Sequence, residues 1–267
     1  MVVPYFAIEY RTVLSKSTYM QTPIASLAEK TLGQLVAHDF RKARIFKKYG
    51  LDYCCGGTAT LQDACTSKGL DITNVGHDLQ EADNTAGLPS LPYNAWPLDF
   101  LADFIVNTHH FYVRENLPDM RAYAEKVTKS HGKQHPELAE ILQLVKEVDD
   151  ELTRHLFKEE KILFPYIRAL THAAKTGQPL QQAGFVTVQN PIRMMETEHE
   201  IVGKNLARIR ELAADYLPPE GACNSFKILY SLLEQFENDL HIHVHLENNI
   251  LFPKALDLER QIASHSK

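Results

Sequence analysis

From residue 97 onward, apolar positions recur every three to four residues in four long blocks, roughly 97 to 130, 136 to 172, 190 to 216 and 222 to 260. No strand-like alternation interrupts them. Pro136 and Pro191 stand near block starts, where a missing N–H does no harm, and "HGKQHP" and "YLPPEG" supply breaks. Four such blocks predict an antiparallel four-helix bundle with rods of roughly 40 Å. Upstream, "TLGQLVAHDFRKARIFKKYG" has the same period, with Asp39 placed to cap a second helix and Gly50 to end it. Thr58 or Thr60 can cap "LQDACTSKG", which stops at Gly69, and Asp71 can cap one more short helix. The fold class is therefore all-α, a small N-terminal helical domain followed by the bundle. The expected divisions are an extension over 1–23, a helical cysteine domain over 24–82, a turn-rich linker over 83–96, and the bundle over 97–262.

Two of the bundle blocks contain the same phrase. "HLFKEEKILFP" from His155 and "HVHLENNILFP" from His243 both read H-x-x-x-E-x-x-I-L-F-P. Residues four apart on a helix differ by only about 40° and about 6 Å, so His155 with Glu159, and His243 with Glu247, each form a two-ligand fork. Leu156, Phe157, Val244 and Leu246 surround the forks and turn them toward the interior. Buried imidazoles and carboxylates there must be paired or metallated, because an unpaired buried charge costs several kcal/mol. The Phe-Pro pairs, Phe164–Pro165 and Phe252–Pro253, are expected to end or kink each helix.

The other two blocks supply one histidine each: His199 in "MMETEHEIVG", and either His109 or His110, about 100° apart, in "NTHHFYVRENLP". Four nitrogens and two carboxylates suit two metal ions a few ångström apart, the carboxylates bridging and two imidazoles on each ion. The donor list accepts Fe, Zn, Cu or Ni. Glu160 reads as part of a solvated "KEEK" stripe. Glu196 and Glu198 either hold the outer nitrogen of a ligand or lie on the surface. His241 and His245 fall on other faces of their helix.

Composition narrows the rest. The 267-residue chain carries 28 Lys plus Arg against 34 Asp plus Glu, a formal charge of −6, which leaves no basic footprint for nucleic acid. No window approaches 18 consecutive apolar residues, so no membrane span is expected, and the first twenty residues lack a signal cleavage pattern; a cytoplasmic protein is expected. Cys54, Cys55, Cys65 and Cys223 form no disulfide framework. Cys54 and Cys55 precede Gly56 and Gly57 and a helix start, a setting expected to allow positive φ, close approach and a lowered thiol pKa. Two small residues packed at a tight turn would look the same. Cys65 and Cys223 read as packing residues.

"GLDYCCGG" together with "HLFKEEKILFP", "MMETEH", "GAC" and "DLHIHVHLENNILFPKAL" resembles the repair-of-iron-centres family, over nearly everything after Gln21. That resemblance implies a hemerythrin-like bundle with a centre of two Fe ions, oxo-bridged when oxidised. His110, His155, His199 and His243 would be terminal ligands and Glu159 and Glu247 bridges. Cys54 and Cys55 would be the redox or iron-transfer cysteines. "HFYVRENLP" departs from the family's HxxHRxxLP form at Val113. The resemblance further implies repair of clusters damaged by nitrosative or oxidative stress, with iron donation and nitric oxide reduction as activities, damaged iron-sulfur proteins as partners, and a homodimer. The alternatives are a hemerythrin-like oxygen binder, which would call for a fifth histidine ligand from among His109, His241 and His245, and a redox or nitric oxide sensor with no repair role.

Overall fold

The computed structural model describes residues 24–84, 91–180 and 184–265, and all regular structure among them is helical. The expected extension over 1–23 and part of the linker lie outside the described residues. Five short helices open the chain: α1 (Ile24–Ala28), α2 (Leu32–His38), α3 (Lys42–Lys48), α4 (Leu61–Ser67) and α5 (Ile72–Asn84). Thr31 and Gln34 form a reciprocal capping box at α2, each backbone N–H donating to the other side chain at 3.1 and 3.2 Å. Thr60 caps α4, accepting from the Asp63 amide, and Asp71 accepts from the Thr73 amide at the start of α5. Gly50 and Gly69 take the left-handed conformation that ends α3 and follows α4. Asp39 does not cap α3 as expected: its carboxylate accepts from the Arg41 amide at 3.0 Å in the turn ahead of the helix, and Arg41 holds the N-cap position with no side-chain cap.

The bundle is made of four rods, three of which are interrupted. The first runs α6 (Leu98–Ile105), a π turn (Val106–His110) and α7 (Phe111–His131). The second runs α8 (Glu137–Lys158), a π turn (Glu159–Leu163) and α9 (Phe164–Thr176). The third is α10 (Gln189–Leu212); the fourth runs α11 (Asn224–Leu246), a π turn (Glu247–Leu251) and α12 (Phe252–His265). The Phe-Pro pairs therefore do not stop the rods, which corrects the expected end, although the regular α-helix is interrupted by a π turn just before each pair. A proline ring clashes with the carbonyl four residues back. Here the preceding amide bonds five residues back instead, Phe164 to Glu159 and Phe252 to Glu247, so the backbone widens for one turn and the α-helix resumes.

Two apolar clusters bracket one level of the bundle. One joins Leu117, Met120, Leu152, Val202, Leu233 and Val244 to Leu35, Phe46, Tyr53 and Leu61 of the N-terminal helices, which thus share a continuous core with the rods. The other gathers Leu101, Ile105, Phe164, Ile167, Met195, Leu251 and Phe252. Tyr93 and Trp96, in the stretch expected as linker, pack edge-on against each other, and against Phe104 Trp96 is edge-on and Tyr93 tilted. No described helix is long and apolar enough to cross a membrane.

Candidate metal centre

Between the two clusters, His110, His155, Glu159, His199, His243 and Glu247 converge, each at most 3% exposed. The three π turns explain the convergence. Glu159 and Glu247 are the first residues of theirs and His110 the last of its own, so the local widening falls where the rods present these donors. The donors divide into two groups that share both carboxylates: His110, His243, Glu159 and Glu247, and His155, His199, Glu159 and Glu247, with the ligating atoms of each group within 4.8 Å of one another. Glu159 Oε2 lies 3.3 Å from Nε2 of both His110 and His155. Glu247 reaches His199 Nε2 at 3.3 Å with Oε2 and His243 Nε2 at 3.0 Å with Oε1.

Whether cations fit can be judged from the protein alone. The Nε2 atoms of His110 and His243 face each other at 3.1 Å, and those of His199 and His155 at 3.0 Å, so a proton or a cation must lie between each pair. Both oxygens of Glu159 and Oε2 of Glu247 are buried without a hydrogen bond. Carboxylates in that state require a cation at close range. Protons are what the metal-free chain can offer. Burial alone would depress His110 and His155, but Glu159 and Glu247 override it and raise them to about 9 and about 10. Glu159 is in turn held low: burial and Glu247 push it up, and His155 and His110 more than reverse that. The two imidazolium protons stand where metal charge fits. Four imidazoles and two shared carboxylates suit a pair of borderline transition-metal ions, and hard Mg²⁺ or Ca²⁺ poorly.

The outer nitrogens are held as metal-ligating histidines require. His155 Nδ1 donates to Glu198 Oε2 at 2.9 Å, and Lys158 pairs with the other oxygen of Glu198. His110 Nδ1 donates to Glu160 Oε1 at 2.8 Å, with Arg114 on the same oxygen. His199 Nδ1 donates to Asn248 Oδ1 at 2.9 Å. His243 Nδ1 has no such acceptor; His109 stacks on this ring at 5.6 Å and 8°. Glu160 thus turns inward instead of joining a solvated stripe, because Arg114 and His110 draw it across to the neighbouring rod. His109 bonds Asp239 at 3.0 Å and lies outside both donor groups, as do His241 and His245. His245 is wholly buried beside Tyr53 and Phe40. Val113 is buried in the core.

The cysteine loop sits against this centre. Asp52 Oδ1 accepts the amides of Cys54 and Cys55, both at 3.0 Å, and lies 3.1 Å from the Cys54 sulfur. Cys55 Sγ contacts the backbone oxygen of His199 at 3.7 Å. Asn249 clamps the loop from behind, donating through Nδ2 to the carbonyls of Tyr53 and Cys54, each at 3.2 Å. Its amide occupies space that only glycine leaves free: a Cβ at Gly33 or Gly57 would stand 2.0 or 2.3 Å from Asn249 Oδ1. Close approach, not positive φ, is what Gly56 and Gly57 supply, since neither has positive φ. The expectation of a lowered thiol pKa is also corrected for Cys54. Its hydrogen bond with Cys55, burial and the nearby Asp52 charge push it well up, and α4 begins only at Leu61. Cys65 is buried as expected, whereas Cys223 is exposed at the start of α11, 3.2 Å from His131 Nε2.

Residues 28–83 match the family model described as a domain of unknown function, DUF542, and residues 102–255 match the hemerythrin HHE cation binding domain. The iron-sulfur cluster repair protein YtfE of Yersinia pestis (strain Pestoides F) is 38% identical over 232 residues, spanning 85% of this chain and 96% of its own length. The protein of the same name from Yersinia pseudotuberculosis serotype O:1b (strain IP 31758) gives the same identity and coverage. Likeness of this extent, over both the cysteine unit and the bundle, makes the chain a member of the YtfE family of iron-sulfur cluster repair proteins, with a hemerythrin HHE cation binding domain.

Proposed function

We propose that this chain is a di-iron protein that restores iron-sulfur clusters damaged by nitrosative or oxidative stress, by donating iron, in the cytoplasm. The observation that carries it is the buried set of four histidines and two shared glutamates lying directly beneath a two-cysteine loop. His110 and His243 would hold one iron, His155 and His199 the other, with Glu159 and Glu247 shared between them and an oxo bridge in the oxidised form. When bound, such a pair supplies two adjacent one-electron donors, which also suits reduction of nitric oxide.

The protein's own residues set the terms. Glu160, Glu198 and Asn248 fix three of the imidazoles in the tautomer whose Nε2 is free to bind. Phe164, stacked on His110 at 5.5 Å, and Phe252, parallel to His199 at 6.2 Å, exclude water from the side opposite the cysteines. Cys54 and Cys55 offer soft donors on the near side, where released iron would meet the client, a damaged iron-sulfur protein.

The test is transfer of label. The chain loaded anaerobically with ⁵⁷Fe is mixed with a nitric oxide-damaged [4Fe–4S] protein, and the client is re-isolated. Label in a rebuilt client cluster, lost with Cys54→Ser/Cys55→Ser, supports the reading. Clusters rebuilt from free iron at the same rate without the chain would sink it.

A further inference from the structure

The cysteine loop carries three potential ligands, and its geometry has the character of a metal site in its own right. One carboxylate oxygen of Asp52 and the sulfurs of Cys54 and Cys55 lie within 4.8 Å of one another. The loop is built to keep them so: Asp52 Oδ1 gathers both cysteine amides and lies 3.1 Å from the Cys54 sulfur, and Asn249 fixes the carbonyls of Tyr53 and Cys54. All three residues line a cavity of about 470 Å³ whose facing wall includes His199, Gly203 and His241 of the bundle. The donors are therefore preorganised, and an ion can reach them.

We propose that Asp52, Cys54 and Cys55 form a second metal site, which takes a single divalent transition-metal ion separately from the six-residue centre. Two sulfurs and one carboxylate select Fe²⁺, Zn²⁺ or Co²⁺ over Mg²⁺ and Ca²⁺. Three protein donors leave a fourth position open, the arrangement of an exchangeable site and not of a closed structural one. Binding is balanced by protons: each thiol gives its proton to solvent as its sulfur bonds the ion, two protons released per ion bound, while the carboxylate enters already ionised. Cys55 touches the backbone oxygen of His199, so only that residue's own main chain lies between this site and one imidazole of the centre. Resting on the repair reading, the site is the stage at which a leaving iron is held before a client takes it.

The test uses the full chain with its centre loaded with iron, in a Cys223→Ser background so that the exposed thiol contributes nothing, and Co²⁺ as the probe. Expected is one further cobalt per chain, a thiolate-to-cobalt charge-transfer band, and two protons released into weak buffer. Cys54→Ser/Cys55→Ser should abolish the band. Asp52→Asn keeps an oxygen for both amides and removes only the charged donor, so it should weaken cobalt binding at least tenfold. Iron content of the centre, measured on the same samples, reports on the six-residue site independently. A missing band, a band that survives the double serine variant, or unchanged affinity in Asp52→Asn would each overturn the second site. Cobalt binding with no transfer of iron to a client would leave this site standing and overturn the repair reading alone.

Discussion

Gly33→Ala tests the clamp between the metal-bearing rod and the cysteine loop. The new methyl would stand 2.0 Å from Asn249 Oδ1 and 2.6 Å from its Cγ, so the amide must leave its place. Two hydrogen bonds, to the carbonyls of Tyr53 and Cys54, go with it, at about 1 kcal/mol each. Crowding a packed contact adds about 1–3 kcal/mol, and replacing a helical glycine by alanine returns about 1 kcal/mol. The expected loss is ~2–4 kcal/mol. Asn249→Ala alone should cost about 2 kcal/mol through the same two bonds. In the double variant the two hydrogen bonds are lost only once and the methyl at position 33 is freed of the amide, keeping only the Gly57 carbonyl at 3.0 Å, so the two losses should not add; the pair should be ~2–5 kcal/mol more stable than the sum. Urea unfolding followed by far-ultraviolet circular dichroism, on samples of equal metal content, measures all four corners. Cys55 should also react faster with a thiol reagent in both single variants. Losses that add to within about 0.5 kcal/mol would refute the proposed contact.

Other consequences concern the centre. Glu247→Gln keeps the shape and removes a shared charge, so metal content should fall below two ions per chain, read by elemental analysis. Glu160→Gln removes the charged acceptor of His110 and should weaken metal retention about ten- to hundredfold against a competing chelator. Stability of the metal-free chain should respond to base. His110 and His155 are raised to about 9 and about 10, so the folded state holds protons the unfolded state has lost. Their contribution is complete below about pH 6.5 and fades as pH rises through those values, at up to about 1.4 kcal/mol per unit for each imidazole. Denaturation midpoints should therefore drop between pH 7 and 9 without metal and hold steady with it; equal slopes in both would contradict the assignment.

The two forks were legible in sequence because their geometry is local: a spacing of four fixes both side chains on one face whatever the rest of the chain does. The duplicated phrase and the third block's histidine then sufficed to name five converging side chains, while the choice of His110 over the adjacent His109 came only with the family resemblance. What escaped was tertiary. Glu160 has the composition of a solvent stripe, and only Arg114 and His110 on the neighbouring rod explain its inward turn. Asn248 and Asn249 carry no charge and follow no apolar period, yet one orients His199 and the other holds the cysteine loop. The π turns escaped because a Phe-Pro pair signals a break, while its accommodation depends on one amide bonding a residue further back. The Cys54 thiol was misjudged for a related reason: the sequence does not show that Cys55, burial and the Asp52 carboxylate at 3.1 Å all close around one sulfur.

The central claim is that six side chains from four rods hold two coupled irons. Mössbauer spectroscopy of anaerobically purified, ⁵⁷Fe-grown protein measures it most directly. The account predicts two irons per chain, antiferromagnetically coupled when oxidised, with the coupled signal lost in His155→Ala and in Glu247→Ala. One zinc per chain, no bound metal, or a coupled signal that survives both substitutions would contradict it.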